Sequence, residues 1–518
     1  MTIANLLLRS AQLWRDQPAL IEAGDGRSIS FSQLFQASLY FGHSLRRRGL
    51  VVGDRVAILG DASPAYLIAD YGSMAAGLVR VPLDPSLSAD DLANQIRDAE
   101  ARLLLFDESC AKLAAQIVEK TKVESSVLDE RALDHSSAGD DTGLPDDPDI
   151  GFNALASLNY TGGTSGQPKA VMLSHGNLRA IVQNIVMARG MGPGDVMVNV
   201  RPLWPIAAII VLAHLAAGGT VVLGGRFEPV RMVALLDQYG AAATSMVPTH
   251  LVRVLRDCPP SQLRALTKLR SIDIGAASIP SETFEQAFDA FGPKIGVLYG
   301  LTEASWSCYQ PPSMLDAAPD IRERRMRSVG RPVFGCDIMI AGDAGPVPHG
   351  QPGEVLIRGA HVMNGYWKRP DLTAEVLKND WFATGDLGIV DDDGILAIIG
   401  RIKETIRTGG KTVLPSEVEA TLCQHPGIAE ASVVGIPDKE WGELVAAAVV
   451  LAPGAGVTEA ELKDHCATSL SSHKRPKFIR IVAELPKSHY GKIQRGKVRD
   501  AVTELYRGST AGSAPRET

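Results

Sequence analysis

The sequence predicts an α/β protein with a large N-terminal domain of mostly parallel α/β subdomains, a small β-rich subdomain, and a small α+β C-terminal domain. First, residues 29–50 and 62–81 carry helical periodicity on either side of the β-like run Val56–Leu59. Repeated strand-then-helix units form parallel sheets covered by helices. Second, short strands and turns replace this alternation over residues 331–399, and third, helix and strand signals begin again after Gly400-Arg401.

The individual elements can be placed along the chain from hydrophobic periodicity and flanking turn residues. In the N-terminal region, strands are expected at Leu103–Phe106, from Val127 onward, and at Phe152–Leu158, Thr220–Leu223, Ala242–Val247 and Ser271–Ile274, with an acidic loop over Ala138–Asp149 and helices over Leu178–Met187 and Ile206–Ala217. In the C-terminal region, helices are expected over Pro415–Gln424 and Thr458–Leu470, and strands over Ala429–Val434 and Leu444–Leu451.

Length and composition restrict the class of protein. A chain of 518 residues is too long for one hydrophobic core, and 45% hydrophobic with 21% charged residues is typical of a globular protein. A formal net charge of -7 argues against nucleic acid as a partner. The six cysteines include no Cys-x-x-Cys pair, no apolar run reaches the roughly 18 residues that span a bilayer, and no signal peptide is evident. We therefore expect a cytoplasmic protein without a membrane span.

Residues 160–169, Tyr-Thr-Gly-Gly-Thr-Ser-Gly-Gln-Pro-Lys, have the composition of a phosphate-holding loop. Glycines let backbone N–H groups approach a polyphosphate, hydroxyl groups donate to it, and a lysine adds a cation. The segment is not a Walker loop, because Pro168 and Ala170 replace the expected glycine and Ser/Thr. The alternative is a Gly/Ser surface turn. The candidate phosphate ligands are Thr161, Gly162, Gly163, Thr164, Ser165, Gly166 and Lys169.

Further blocks follow in order: Tyr299-Gly300-Leu301-Thr302-Glu303, Thr384-Gly385-Asp386, Gly400-Arg401-Ile402-Lys403-Glu404, and Leu485-Pro486-Lys487 before Gly491-Lys492-Ile493. Together with the glycine-rich loop they resemble the adenylate-forming (AMP-binding) superfamily of acyl-CoA synthetases, nonribosomal-peptide adenylation domains and beetle luciferases. The resemblance extends from about Ala19 to about Arg499. It implies activation of a carboxylic acid by ATP, with an acyl-AMP intermediate and release of pyrophosphate.

Adenylation requires charge stabilisation around the phosphates of ATP. Glu303 suits Mg²⁺, which uses few carboxylates, and Thr302 beside it could reach the α-phosphate. The resemblance makes Lys492 the catalytic cation between the substrate carboxylate and the α-phosphate. Considered without their motifs, Glu303 would be a solvated surface acid and Lys492 a solvated lysine. The motifs in which they lie favour the functional roles.

The nucleoside part of ATP has candidate ligands of its own. Asp386 resembles the family's ribose-hydroxyl ligand, since a carboxylate accepts from both hydroxyls, and Arg401 resembles its second ribose contact. Gly275-Ala276-Ala277 resembles the segment on which adenine lies, although a plain packing turn explains these small residues equally well.

The resemblance also implies that residues 403–508 form a mobile C-terminal domain that pivots at Lys403 against the N-terminal domain of residues 1–402. Its rotation would exchange the Lys492 loop for Thr408-Gly409-Gly410-Lys411, whose glycines leave room for the pantetheine arm of coenzyme A. Many acyl-CoA synthetases have a histidine where this chain has Pro205, which puts the alignment of acid and thiol in question. Residues 509–518 are expected to form a disordered tail.

The substrate class follows from what the sequence lacks. Amino-acid-activating relatives carry an aspartate for the α-ammonium group, whereas Leu203–Leu212 contains no acidic residue. We therefore expect an apolar carboxylic acid without an amine; fatty, aromatic, alicyclic and terpenoid acids all fit. The candidate acyl-pocket residues, each of which could equally be core, are Trp204, Pro205, Ile206, Ile209, Met246, Val247 and Trp306.

These features leave four functions to compare. The first is an ATP-dependent acid–CoA ligase. The second is an acyl-AMP ligase that passes the acyl group to an acyl carrier protein or partner enzyme, as Pro205 allows. A luciferase-type oxygenase needs a luciferin that no residue identifies, and a non-catalytic nucleotide sensor is disfavoured because Lys492 and Glu303 are both present.

Overall fold

A computed structural model describes residues 2–128, 149–161, 168–487 and 493–511. The chain divides into two compact units, one of Met1–Met339 with Leu356–Ala383 and the other of Ile340–Val355 with Thr384–Thr518. Over the described ranges, no helix is long and apolar enough to cross a membrane.

The first part of the chain alternates strands and helices, as the periodicity predicts. Its elements are α1 (Ile3–Leu13), β1 (Pro18–Glu22), β2 (Ser28–Ser30), α2 (Phe31–Arg47), β3 (Arg55–Leu59), α3 (Pro64–Ala75), β4 (Val79–Leu83), α4 (Ala89–Ala99), β5 (Ala101–Phe106), α5 (Ala111–Thr121) and β6 (Glu124–Val127). The strand expected from Val127 onward differs in that β6 ends at Val127, and residues 129–148 lie outside the described ranges.

The alternation continues to the start of the β-rich region. The elements are β7 (Leu155–Thr161), β8 (Lys169–Ser174), α6 (His175–Arg189), β9 (Val196–Asn199), α7 (Ala208–Ala216), β10 (Thr220–Leu223), α8 (Pro229–Gln238), β11 (Ala243–Met246), α9 (Pro248–Asp257), α10 (Pro260–Arg264), β12 (Ser271–Ile274), α11 (Ser281–Phe291), β13 (Ile295–Leu301), β14 (Ala304–Gln310), α12 (Pro319–Met326) and β15 (Arg331–Pro332).

Two sheets form the frame of the first unit. The larger has the order β15-β14-β13-β12-β11-β9-β10-β1-β2 and is parallel from β13 to β1. The smaller has the order β6-β5-β3-β4-β7-β8 and is parallel except for the β7–β8 pair. Their buried strands are apolar on both faces, as in Val56–Leu59, because helices cover parallel sheets.

A smaller sheet follows, as the short strand signals predict. Its strands are β16 (Asp337–Gly342), β17 (Gly345–Pro346), β18 (Gly353–Arg358), β19 (Leu377–Lys378), β20 (Trp381–Val390) and β21 (Leu396–Arg401), with helix α13 (Pro370–Val376) between β18 and β19. Their order is β17-β16-β18-β20-β19, and β21 pairs with β20.

The C-terminal region folds around a sheet of its own. It contains β22 (Ile406–Thr408), β23 (Lys411–Val413), α14 (Pro415–Cys423), β24 (Ile428–Asp438), β25 (Gly442–Leu451), α15 (Glu459–Ser469), β26 (Phe478–Ile481) and α16 (Arg495–Ala511). The sheet order is β23-β22-β25-β24, with β26 parallel to β25. Since α16 ends at Ala511, residues 509–511 of the expected tail are helical, and residues 512–518 lie outside the described ranges.

Candidate active site

Four neighbouring parallel strands, β9, β11, β12 and β13, bring the predicted nucleoside and acyl segments to one edge of the large sheet. Ligands of open α/β sheets bind beyond the carboxyl ends of the strands. The residues at or just after these ends are Trp204 and Pro205, Met246 and Val247, Gly275, Ala276 and Ala277, and Tyr299 and Gly300.

Thr302 and Glu303 form the turn of the β13–β14 hairpin, since Leu301 and Ala304 are register partners. The backbone just before the turn packs closely against β14, the strand that follows the turn. A Cβ atom at Gly300 would lie 2.6 Å from the backbone nitrogen of Trp306, so a side chain at this position would clash with backbone. The hairpin therefore presents Thr302 and Glu303, both half-buried, at the predicted site edge.

Glu303 is held by a residue that the sequence analysis missed. The hydroxyl of Tyr366 donates a 2.9 Å hydrogen bond to Oε1 of Glu303. Burial, followed by the charge of Glu303, raises the pKa of Tyr366, so the phenol keeps its proton at neutral pH. No other hydrogen bond to this carboxylate comes from the part of the chain that the structure describes.

One carboxylate is a suitable protein contribution to a Mg²⁺ site. Mg²⁺ commonly binds through one or two carboxylates together with substrate phosphates and water. Within the described ranges, no three acidic, histidine or cysteine side chains cluster to form an all-protein metal site. The second oxygen of Glu303 fits such a shared site, because Tyr366 bonds only to Oε1.

The stem of the glycine-rich loop is an antiparallel pair. Thr161 and Lys169 are register partners at the ends of β7 and β8. The ammonium of Lys169 lies 4.9 Å from the ring centre of Tyr366, within the range of a cation–π contact. Tyr366 thus touches both the loop stem and the hairpin turn. The predicted phosphate ligands Gly162, Gly163, Thr164, Ser165 and Gly166 lie outside the described residues.

In the second unit, the two predicted ribose ligands are paired. Arg401 Nε lies 2.8 Å from Asp386 Oδ1, and the residues are register partners on β20 and β21. The Asp386 side chain is 4% exposed and that of Arg401 28%. The carboxylate is therefore oriented by a partially exposed guanidinium.

The predicted hinge and thiol segment also lie in this unit. Lys403 is exposed in a short helical turn, Ile402–Glu404, between β21 and β22. Gly409 and Gly410, both with positive φ, form the turn of the β22–β23 hairpin, and Lys411 begins β23. A Cβ atom at Gly409 would lie 2.8 Å from the ring of Trp441, a neighbour that the sequence analysis missed. Lys492 lies outside the described residues.

Most of the predicted acyl-pocket side chains are deeply buried. Trp204, Met246, Val247 and Trp306 are each less than a tenth exposed, and Pro205 is half-buried after a cis peptide bond. The ring centres of Trp306 and Tyr309 lie 5.4 Å apart. Burial of this kind is compatible with a pocket wall and with core packing.

Tyr366 could not be found from the sequence as a site residue. It is 63 residues from Glu303, and its local sequence Gly365-Tyr366-Trp367 carries no charge or metal-ligand spacing. The only local signal is an aromatic pair after a glycine, which is equally typical of a packed turn.

Comparison with known proteins identifies the family. Residues 7–367 match the model of the AMP-binding enzyme family, and residues 417–492 match that of the AMP-binding enzyme C-terminal domain. The chain belongs to the AMP-binding enzyme family.

Similar proteins come from several bacteria. Feruloyl-CoA synthase of Amycolatopsis sp is 33% identical over 92% of this chain and 94% of that protein. Sulfoacetate–CoA ligase of Cupriavidus necator is 33% identical over 96% and 97%. The fatty acid–[acyl-carrier-protein] ligase ScoC of Streptomyces coeruleorubidus is 31% identical over 92% of each.

The crystal structure of ATP-bound MatB from Rhodopseudomonas palustris superposes on this chain with a TM-score of 0.88. The match covers 98% of this chain and 100% of the MatB chain, with 29% sequence identity. The predictions of the superfamily, of the fold class with its large N-terminal and small C-terminal domains, and of an AMP-forming acid–thiol ligase are therefore confirmed.

Proposed function

We propose that the protein converts an apolar carboxylic acid and ATP into acyl-AMP and pyrophosphate, and then forms the thioester with coenzyme A. The observation that carries this proposal is the convergence of Glu303 and Lys169 on Tyr366, because it joins a carboxylate suited to Mg²⁺ to the stem of a phosphate loop. Its relatives named as CoA ligases support the thiol step.

The phosphates and the ribose of ATP then have proposed ligands. The loop from Thr161 to Lys169 binds the β- and γ-phosphates, and Thr302 donates to the α-phosphate. Asp386, oriented by Arg401, accepts from the ribose hydroxyls. Glu303 holds Mg²⁺, which when bound neutralises phosphate charge. Lys492 stabilises the charge that develops between the carboxylate and the α-phosphate.

The acid is proposed to be apolar for two reasons. Leu203–Leu212, which follows β9 at the site edge, has no acidic residue to bind an ammonium group. The neighbouring strand ends contribute the buried apolar residues Met246 and Val247. The relatives are named for acids as different as ferulate and sulfoacetate, so a panel of acids is required to identify the substrate.

A second candidate is an acyl-AMP ligase whose acceptor is a carrier protein or a partner enzyme. Pro205 favours it, because a proline offers neither the ring donor nor the movable aromatic face of the histidine in many acyl-CoA synthetases. The relative ScoC, named as an acyl-carrier-protein ligase, adds support. For either acceptor we propose a cytoplasmic location, which fits the scattered cysteines.

Mass detection of acyl-AMP and acyl-CoA distinguishes the two candidates. The purified protein is incubated with ATP, Mg²⁺ and a panel of fatty, aromatic, alicyclic and terpenoid acids, with and without coenzyme A, and in parallel with a phosphopantetheinylated carrier protein. Acyl-CoA formation supports the first candidate, whereas acyl-AMP that is consumed only with the carrier protein supports the second. Absence of acyl-AMP with every acid would contradict both.

A further inference from the structure

The segment Val362–Trp367 joins the stem of the phosphate loop to the β13–β14 turn. On one side, the backbone nitrogens of Met172 and Trp367 bond to the oxygens of Gly365 and Ala170, so the segment runs along β8. On the other side, the nitrogen of Met363 donates 2.8 Å to the backbone oxygen of Glu303. We call this segment the bridging segment. It fixes the backbone of the loop stem relative to the backbone of Glu303.

The side chain of Tyr366 completes the same connection. The residue is 6% exposed, and its hydroxyl reaches Glu303 while the face of its ring lies under the ammonium of Lys169. A phenol that donates to Oε1 restricts the rotation of the carboxylate and leaves Oε2 for a metal ion. The ring also limits the positions of a flexible lysine, whose side chain otherwise has many rotamers.

We propose that Tyr366 is a positioning residue that aligns the metal-binding carboxylate of Glu303 with the phosphate-binding cation of Lys169. The proposal rests on the roles given above to Glu303 and Lys169, and it assigns separate roles to the hydroxyl and the ring of Tyr366. The hydroxyl acts through Glu303 on metal-dependent nucleotide binding. The ring acts through Lys169 on nucleotide binding that needs no metal.

A purely structural role for Tyr366 would have a different signature. The bridging segment has other anchors that do not touch Glu303 or Lys169. The indole nitrogen of Trp367 donates a 3.0 Å hydrogen bond to the backbone oxygen of Asp98. The carboxylate of Asp98 also accepts a 2.8 Å hydrogen bond from the hydroxyl of Tyr160, which lies in β7. Loss of such an anchor would loosen the segment as a whole and would affect metal-free and metal-dependent binding alike.

The two functions of Tyr366 can be separated by substitution. Tyr366→Phe removes the hydroxyl and keeps the ring under Lys169. Tyr366→Leu removes both. Trp367→Phe removes one hydrogen bond of the same segment, keeps an aromatic ring, and leaves Glu303 and Lys169 untouched, so it is the matched control.

The measured quantity is the affinity for α,β-methylene-ATP, obtained by calorimetry with the full-length protein in EDTA and again with Mn²⁺. The ratio of the two affinities is the metal enhancement, and electron paramagnetic resonance of free Mn²⁺ checks it independently. We expect Tyr366→Phe to reduce the enhancement about tenfold, the lower range for loss of a residue that supports a metal ligand, with unchanged affinity in EDTA. Tyr366→Leu should also weaken binding in EDTA about threefold.

Trp367→Phe should lower the thermal midpoint and change both affinities by a similar factor, so that its metal enhancement stays that of the wild-type protein. A wild-type enhancement in Tyr366→Phe, or an equal loss in Trp367→Phe, would overturn the proposal. A wild-type protein that binds the nucleotide with no metal enhancement would instead contradict the role of Glu303 in the proposed function, and the two failures are therefore distinguishable.

Discussion

Asp386 and Arg401 face each other across the antiparallel strands β20 and β21, with 2.8 Å between Oδ1 and Nε. The strand pairing fixes both backbones, and the guanidinium of Arg401 orients the carboxylate of Asp386. Because the carboxylate is nearly buried and the guanidinium only partially exposed, a substitution of Asp386 also removes the charge that Arg401 pairs with.

Asp386→Asn is expected to raise the KM for ATP by roughly 10- to 100-fold, the range for loss of a hydrogen bond to a charged group. The assay is ATP–pyrophosphate exchange. Asp391→Asn is the matched control, because Asp391 Oδ1 accepts from the nitrogens of Asp393 and Ile395 in the turn after β20. The control should lower the thermal midpoint without changing the KM; an unchanged KM in Asp386→Asn would refute the ribose assignment.

Lys492→Ala is expected to slow acyl-AMP formation about a hundredfold or more, by analogy with removal of a preorganised donor. Conversion of separately supplied acyl-AMP to thioester should change much less, because that step does not form charge at the α-phosphate in the same way. Lys487→Ala removes a lysine of the same motif that pairs with Glu430 at 2.6 Å, and it should affect neither step strongly. Equal losses of both steps in Lys492→Ala would count against its assignment.

Lys403→Pro is expected to impair thioester formation and to retain part of acyl-AMP formation. Proline restricts φ and would hinder rotation of the C-terminal domain about this position. Lys403→Ala removes the same charge without restricting the backbone and should keep most overall turnover. If Lys403→Pro retains full turnover in single-turnover assays of the two steps, the chain pivots elsewhere.

If the second candidate is correct, the unmodified protein should accumulate acyl-AMP in the presence of coenzyme A, because Pro205 lacks the ring donor and the movable aromatic face of a histidine. Pro205→His should then raise the thioester yield in stopped assays. Pro205→Ala controls for removal of the proline ring alone. Rapid, stoichiometric acyl-CoA production by the wild-type protein would exclude this hypothesis and select coenzyme A as the acceptor.

The thermal midpoint is expected to fall as the pH is lowered from about 6.5 to about 4. Burial lowers the pKa of His175, His214 and His361 from 6.5 to about 4. Between these values the unfolded chain binds more protons than the folded chain, so acidification favours unfolding. Each histidine contributes at most about 3 kcal/mol over this window.

Scanning calorimetry at pH 7.5 and 5.0 measures this dependence. His361→Gln, which can still bond to Ser307, should weaken it, whereas His349→Gln at an exposed position should not. Equal pH dependence in both variants would contradict the assignment to buried histidines.

Local patterns were sufficient for the class of fold, and they allowed several site residues to be proposed. The periods of apolar residues identify strands and helices because they report which face of a segment is buried. The motif Tyr-Gly-Leu-Thr-Glu is contiguous, so Thr302 and Glu303 could be proposed from the sequence, and the structure places them together in one hairpin turn. The order of the motifs was enough for the family.

Tertiary structure decided which distant segments meet. Only strand order shows that β9 lies between β10 and β11, and that the ends of β9, β11, β12 and β13 share one edge. Only the fold brings Tyr366 to Glu303 and Lys169, because hydrophobic periodicity records the burial of a segment and carries no information on its partner. Pairing across 63 residues depends on the packing of both sheets around the bridging segment, and no local pattern encodes that contact.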